Sequence, residues 1–188
     1  MRKLTLALVA AITLTTSVAV QAQFYAGGSV GLGRVDVDCS DIPDCDKNAV
    51  GFKLYGGYRF DNGWAVEGGY FDWGKATASE SGLRLDVKST GFGIGLAYFL
   101  PLSGDWSGLF RFGAAQNRGK LDATDGTVSV GESKTEFFPY GGLGLAYRLT
   151  PQLAITAEAD FSRTRWCFDG ECGSDNVQLY SIGLRYAF

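Results

Sequence analysis

The chain has 188 residues, a formal net charge of −3, 27 glycines, 14% aromatic residues and no histidine. This length indicates one domain, and the absence of a lysine- and arginine-rich run argues against nucleic acid as a partner. Histidine is the side chain that most readily exchanges a proton near pH 7, so its absence argues against the usual histidine-based catalysis.

The first 22 residues are typical of a Sec signal peptide. Arg2 and Lys3 precede an apolar stretch, and Val20 and Ala22 occupy positions −3 and −1 of a cleavage site before Gln23. The apolar stretch is short for a transmembrane helix, so a membrane anchor is the less favoured interpretation. We therefore predict a cleaved signal peptide over residues 1–22 and one domain over residues 23–188, with 15 cations, 20 anions and a charge of −5.

Apolar residues recur with a period of two through most of the remaining chain, and this pattern predicts β-strands. The pattern marks eight runs, at residues 24–34, 48–60, 64–73, 87–100, 106–117, 134–149, 153–164 and 176–188. No run shows a helical period. The chain is therefore predicted to be all-β.

The connections between the runs alternate strictly in length. Three are short and rich in turn-forming residues, at 61–63, 101–105 and 150–152, and four are long, at 35–47, 74–86, 118–133 and 165–175. An up-and-down meander then places all long loops at one end, as in bacterial outer-membrane barrels. We predict an eight-stranded antiparallel up-and-down transmembrane β-barrel in the cell outer membrane, with extracellular loops and periplasmic termini.

The two faces of each run differ in chemistry. One parity is apolar and aromatic, as in Leu143, Leu145, Tyr147 and Leu149, and it is predicted to face lipid. The opposite parity collects glycine, alanine, serine and charge. A soluble lipocalin-like barrel is the alternative, but it would need the apolar parity inside.

The inward parity is predicted to hold an ion network that fills the narrow interior of an eight-stranded barrel. Its five cations and four carboxylates nearly balance, and buried charges are tolerated when they are paired. The predicted members are Lys53, Arg59, Glu67, Arg111, Glu136, Arg148, Glu158, Asp160 and Arg185. We expect Arg185 to pair with Glu158 or Asp160 on the neighbouring strand.

Four segments resemble one known family: "FYAGGSVGLGR", "GFKLYGGYRFDNGWAVEGGYFDWG", "PYGGLGLAYRLTPQLAITAEADFS" and the C-terminal "YSIGLRYAF". Over nearly the whole predicted domain, the sequence resembles the OmpA-like eight-stranded barrels of the outer membrane. The resemblance implies an outer-membrane location and a plugged or very narrow lumen, and it implies no particular ligand. We expect no peptidoglycan-binding domain of the kind that OmpA carries after its barrel. Tyr186 and Phe188 resemble the C-terminal signal that the barrel assembly machinery recognises.

The four cysteines, Cys39, Cys45, Cys167 and Cys172, all fall in predicted long loops. An even number of cysteines in an exported chain indicates disulfides. Of the three possible pairings, we favour Cys39–Cys45 with Cys167–Cys172. Cross-pairing between the two loops is the second choice, and zinc binding by all four cysteines is a third.

The first long loop contains five aspartates, at positions 36, 38, 41, 44 and 46. Carboxylates are ligands that Ca²⁺ and Mg²⁺ prefer, but the spacing matches no EF-hand. A solvated acidic loop is the favoured interpretation, with contact to the divalent cations that bridge lipopolysaccharide as an intermediate possibility. The third long loop is predicted to form a hairpin around Asp125-Gly126.

Three functions fit this sequence. We favour a structural or surface role, with outer-membrane lipid, lipopolysaccharide and the assembly machinery as partners, and with loops that contact host or other surface molecules. A pore or transporter for small solutes is the alternative. A lipid-modifying enzyme is disfavoured because histidine is absent, so we predict no enzymatic activity and no cofactor.

Overall fold

The computed structural model describes residues 23–36, 44–80, 83–125, 128–168 and 171–188. The predicted signal peptide lies outside these residues. The strands are β1 (Gln23–Val35), β2 (Asp44–Asp46), β3 (Asn48–Arg59), β4 (Trp64–Glu80), β5 (Leu83–Pro101), β6 (Trp106–Asp125), β7 (Val128–Arg148), β8 (Leu153–Phe168) and β9 (Glu171–Ala187). The described ranges contain no helix long and apolar enough to cross a membrane.

Eight long strands close into an antiparallel up-and-down barrel. β1 pairs with β3 on one side and β9 on the other, and β4 also pairs with β5. This confirms the predicted fold class. The additional short strand β2 pairs with residues 77–79 of β4 and was not predicted, because the acidic segment around it shows no apolar alternation.

Three tight turns and both ends of the barrel domain lie together, at what we call the turn end. In the turn between β3 and β4, Gly63 has φ of 84°, a conformation that favours glycine. The Asn62 side-chain oxygen accepts a hydrogen bond from the Trp64 backbone N–H at 3.2 Å. The predicted short connections therefore form the predicted turns.

The opposite end, the extended end, differs from the prediction. β4 and β5 stay paired out to Glu80 and Leu83, and β6 and β7 stay paired out to Asp125 and Val128. β8 and β9 continue in the same way, so the strands are longer than predicted, and most residues of the predicted long loops at 74–86, 118–133 and 165–175 lie in paired strands. These hairpins extend past the apolar belt, where no apolar parity marks a strand, but backbone pairing continues regardless of side-chain chemistry. The hairpin that the sequence analysis predicted for 118–133 is confirmed.

The alternation of faces is the predicted one. Outward apolar side chains such as Phe92, Ile94 and Ile182 are about two-thirds exposed, whereas inward side chains are buried. An apolar belt this exposed matches the lipid-facing surface of an outer-membrane barrel.

A β-bulge reverses the alternation in β4. The register between β4 and β5 shifts between Asp72 and Lys75, and Gly74 in the bulge has φ of 85°. The Gly74 N–H donates to the Asp72 carboxylate at 3.0 Å. Trp73 keeps the inward parity of Phe71 and is fully buried, and the bulge that follows turns Lys75 outward.

The ladder between β7 and β8 stops at Gly141 and Phe161, although β7 stays paired with β6 as far as Val128. Pro139 stands near this last rung and has no N–H to donate. Its carbonyl accepts a hydrogen bond from the Ser162 hydroxyl at 3.0 Å. We call the region beyond this rung the β7–β8 seam.

Candidate functional site

Glycines on inward faces make room for the large side chains of the interior. A Cβ at Gly27 would lie 2.4 Å from Cζ of Tyr55, and one at Gly142 would lie 2.5 Å from Oδ1 of Asp160. These contacts are too close to exist, so the neighbouring side chains occupy space that only glycine leaves.

Five buried charged residues meet in the middle of the barrel and form what we call the buried ion network. Lys53 Nζ donates to Glu158 and, at 2.5 Å, to Asp160 Oδ2. Arg111 donates through Nε to Glu67 at 2.6 Å and through Nη1 to Glu158 at 3.0 Å. These two cations and three carboxylates come from four different strands, which the network therefore joins.

Three buried tyrosines complete the hydrogen bonding of these carboxylates. Tyr25 donates to Glu67 at 2.9 Å, Tyr55 to Glu158 at 3.1 Å and Tyr140 to Asp160 at 2.6 Å. The sequence analysis missed all three, although Tyr55 shares its inward parity with Lys53. A tyrosine on a charged parity, where glycine and alanine predominate, is the signal that could have found them.

Apolar clusters cover the buried ion network on both sides. Toward the extended end, Phe71 and Trp73 stack with ring centres 5.0 Å apart, and Tyr140 packs against both. The Trp73 N–H donates to Asn117 at 3.2 Å. Toward the turn end, Phe99 packs with Tyr25, whose ring centre lies 5.4 Å away. The interior is therefore filled in three layers.

Four predicted members of the network lie outside it, and two of these, Arg148 and Glu136, pair elsewhere. Arg148 ends β7 at the turn end, where the interior opens, and its exposed guanidinium pairs with Asp105 at 2.8 Å. Glu136 lies beside the β7–β8 seam and pairs with Arg165 at 3.0 Å. Parity assigned both residues to the inward face correctly but did not give their height along the barrel.

The expected pairing of Arg185 with Glu158 or Asp160 is wrong, because Lys53 and Arg111 already bind these carboxylates. Arg185 instead lies over the Phe99 ring, 4.6 Å from its centre. It faces a cavity of about 900 Å³ that opens at the turn end and that we call the vestibule. Arg59 lines the same cavity.

A disulfide joins Cys167 of β8 to Cys172 of β9, which are directly opposite in the ladder. Three of the cysteines predicted to lie in loops are in fact in strands, Cys45 in β2, Cys167 in β8 and Cys172 in β9. Cys39 and the side chain of Cys45 lie outside the described residues, so their pairing stays a prediction. In the described part of the chain, no group of three acidic or cysteine side chains is placed to hold a metal.

Asp175 lies at the extended end, beyond the apolar belt. Partial burial raises the pKa of its carboxyl, the neighbouring Asp36 carboxylate raises it further, and a hydrogen bond from the Trp166 N–H opposes both effects. Asp36 itself accepts hydrogen bonds from Arg34 and Gln178. This part of the first acidic segment is therefore tied to the barrel wall.

A row of lysines crosses three strands of the outer wall at the extended end. Lys75, Lys88 and Lys120 are direct cross-strand neighbours. In the next row outward, Asp86 lies opposite Asp122. Like charges placed directly opposite are unfavourable, and each lysine reaches a carboxylate at 2.7 to 3.9 Å. The wall thus has a cationic band on the membrane side and an acidic band beyond it.

Comparison with known proteins gives one family. The model of the outer membrane protein beta-barrel domain matches residues 4–188. A Haemophilus influenzae protein, itself uncharacterized, is 24% identical over 186 residues, which cover 96% of this chain and 98% of that protein.

Solved structures share the fold. Ail, the attachment invasion locus protein of Yersinia pestis, was solved in complex with the heparin analogue sucrose octasulfate. It is 24% identical, with a TM-score of 0.59 over 89% of this chain and 99% of Ail. Neisserial surface protein A is 17% identical, with a TM-score of 0.65 over 88% of this chain and 97% of that protein.

Proposed function

Because the chain belongs to the outer membrane protein β-barrel family, we propose that it acts at the cell surface as a plugged structural barrel whose extended end makes the functional contacts. We further propose that the Sec pathway exports it and that residues 1–22 are removed. The turn end then faces the periplasm with both termini, and the extended hairpins face outward.

The filled interior is the observation that carries this proposal. The buried ion network lies between two aromatic clusters, and its five charged side chains are held by one another and by tyrosines. Solute passage would require breaking buried ion pairs, and leaving one such charge unpaired costs about 3–5 kcal/mol. The same saturation of Glu158 and Asp160 supports the absence of catalytic activity, because neither carboxylate is free to exchange a proton with a substrate.

The lysine row supports an anionic partner at the membrane surface. Lys88 lies four residues beyond the lipid-facing Phe92, which is about 13 Å along a strand. At this height the row would meet the phosphates of lipopolysaccharide. Ail, a protein of the same fold, was solved with a sulfated polyanion, which agrees with an anionic partner for this chain.

Single-channel recording tests the proposal. Refolded, oxidised protein in a planar bilayer should give no stable conductance steps, while heat-modifiable gel mobility shows that the barrel is folded. Reproducible steps would contradict the proposal and favour a small-solute pore, provided that Glu158→Gln changes their size. Steps that Glu158→Gln leaves unchanged would come from defects in the bilayer and would be repeated at lower protein load.

A further inference from the structure

The vestibule holds two arginines for which the described part of the chain provides no carboxylate partner. The guanidinium groups of Arg185 and Arg59 lie 4.6 and 5.5 Å from the centre of the same Phe99 ring. Arg59 donates one hydrogen bond, to the Gln23 side chain at 2.9 Å. Nη1 of Arg185 is buried and has no hydrogen-bond partner among the described residues. Two guanidinium groups therefore lie close together, and each has N–H donors that form no hydrogen bond with the described residues.

The buried carboxylates beyond this pair already bind other cations. Glu67 and Glu158 both bind Arg111, and Glu158 also binds Lys53. At the mouth of the vestibule Asp105 pairs with Arg148, and Asp61 stands in an exposed turn. Counting the buried ion network with Arg59 and Arg185, four described cations face three carboxylates. A poorly solvated cation without a counter-ion is unfavourable. The excess positive charge therefore points to an anion that is absent from the chain itself.

We propose that Arg59 and Arg185 form a binding site for the phosphate group of a small organic phosphate that enters from the turn end. The planar guanidinium fork binds phosphate oxygens in pairs, and two such forks can hold one dianion. The vestibule, at about 900 Å³, has the size of a small-molecule site. Phe99 and Tyr25 provide an apolar wall beside the two cations.

The phosphate can come from a soluble periplasmic compound or from the headgroup of a lipid in the adjacent leaflet. Both present the same oxygens to the two arginines. Inorganic pyrophosphate is the probe for the site in a phosphate-free maltoside detergent. Repeating the titration in phospholipid nanodiscs then separates the sources: retained binding indicates a soluble ligand, and binding lost in nanodiscs indicates that a headgroup occupies the site.

Isothermal titration of the folded barrel with pyrophosphate tests the site. We expect saturable binding with one ligand per barrel, and a loss of affinity of about tenfold or more for Arg185→Gln and for Arg59→Gln, because each removes charge-assisted hydrogen bonds. Arg34→Gln is the matched control, since it removes an ion-paired arginine at the extended end, away from the vestibule, and its affinity should stay near that of the unmodified chain.

Thermal melting gives an independent measurement. Without ligand, Arg185→Gln should melt at the same temperature as the unmodified chain or higher, because it removes an uncompensated cation. Pyrophosphate should raise the melting temperature of the unmodified chain but not of Arg185→Gln. Absence of saturable binding, an equal loss in Arg34→Gln, or strong destabilisation by Arg185→Gln would each overturn the proposal. The last result would make Arg185 a purely structural residue. None of these results depends on whether the barrel conducts.

Discussion

At the residue scale, Lys53 is the cation on which the interior depends most. It is fully buried and is the charged partner of Asp160, and it shares Glu158 with Arg111. A buried ion pair contributes little net stability, because both partners lose their hydration. Removing Lys53 alone is destabilising, because two buried carboxylates then lose the donor that they share.

Lys53→Met should therefore lower the free energy of unfolding by about 3–5 kcal/mol. Urea unfolding of the barrel in detergent, followed by gel mobility and tryptophan fluorescence, measures the change. Lys134→Met is the control, because Lys134 is exposed and its replacement should change stability by less than about 0.5 kcal/mol. Equal effects of the two substitutions would contradict the importance of the buried ion network.

Neighbouring glycines offer a second comparison. A Cβ at Gly142 would lie 2.5 Å from the Asp160 carboxylate, whereas one at Gly141 would lie 3.8 Å from a backbone oxygen of Arg111. Gly142→Ala should destabilise the barrel by about 1–3 kcal/mol through overpacking. Gly141→Ala should stay within about 0.5 kcal/mol of the unmodified chain. Thermal melts of both variants check this, and a tolerant Gly142 would show that Asp160 can move.

Alternation along the sequence predicted which residues face inward, but it did not predict their partners. Lys53, Arg111, Glu158 and Asp160 share the inward face as expected. Which carboxylate each cation binds depends on strand tilt and on the heights of residues in different strands. Neither quantity is encoded in a single run, and the expected pairing of Arg185 failed for this reason.

At the element scale, the hairpins and the bulge were the hardest features to predict. The bulge at Gly74 changes the parity of β4, so alternation continued past Trp73 would have placed Lys75 inside. The strands beyond the apolar belt carry polar residues on both faces, and the period-two signal disappears there. The three turns of the predicted meander at the other end were simpler, since glycine, proline and asparagine mark them directly.

The lysine row, Lys75, Lys88 and Lys120, is expected to contribute to binding of lipopolysaccharide. Lys120→Gln should leave stability in neutral detergent within about 0.5 kcal/mol, because it removes one exposed ion pair and one like-charge contact together. The rise in melting temperature on adding lipopolysaccharide should become smaller, since each cation near an anionic surface contributes about 1 kcal/mol. Arg148→Gln, at the opposite end, should keep the full rise. An unchanged rise in Lys120→Gln would argue against contact between the row and lipid phosphates.

At the scale of the whole molecule, substitutions of Phe188 can distinguish an effect on assembly in the membrane from an effect on the stability of the folded barrel. Phe188 is 74% exposed, and its ring contacts Tyr186 at a distance of 5.1 Å between centres. Phe188→Ala should lower the amount of folded barrel in the outer membrane several-fold if the assembly machinery recognises this aromatic. Phe188→Tyr should restore it.

The refolded Phe188→Ala protein should unfold in urea almost as the unmodified chain does, because little is buried at this position. Fractionation of cell envelopes measures the first effect and urea titration the second. A variant that assembles normally would remove Phe188 from the proposed signal.

The overall architecture followed from the sequence because closure leaves few choices. Eight alternating runs with alternately short and long connections determine an antiparallel meander, and the apolar parity determines which face meets lipid. The arginine-lined vestibule could not be foreseen, because it depends on where the packing of Tyr25 and Phe99 ends.

At the β7–β8 seam, the contact between the two strands changes from backbone hydrogen bonds to side chains. Below Gly141 a continuous ladder of backbone bonds joins the two strands, and backbone bonds are nearly indifferent to dissolved ions. Above it the Glu136–Arg165 pair, with both side chains partly exposed, spans the gap. A partly exposed ion pair of this kind weakens as the salt concentration rises. Changes in salt concentration at the extended end would therefore loosen or tighten the upper β6–β7 hairpin while the wall within the bilayer stays rigid.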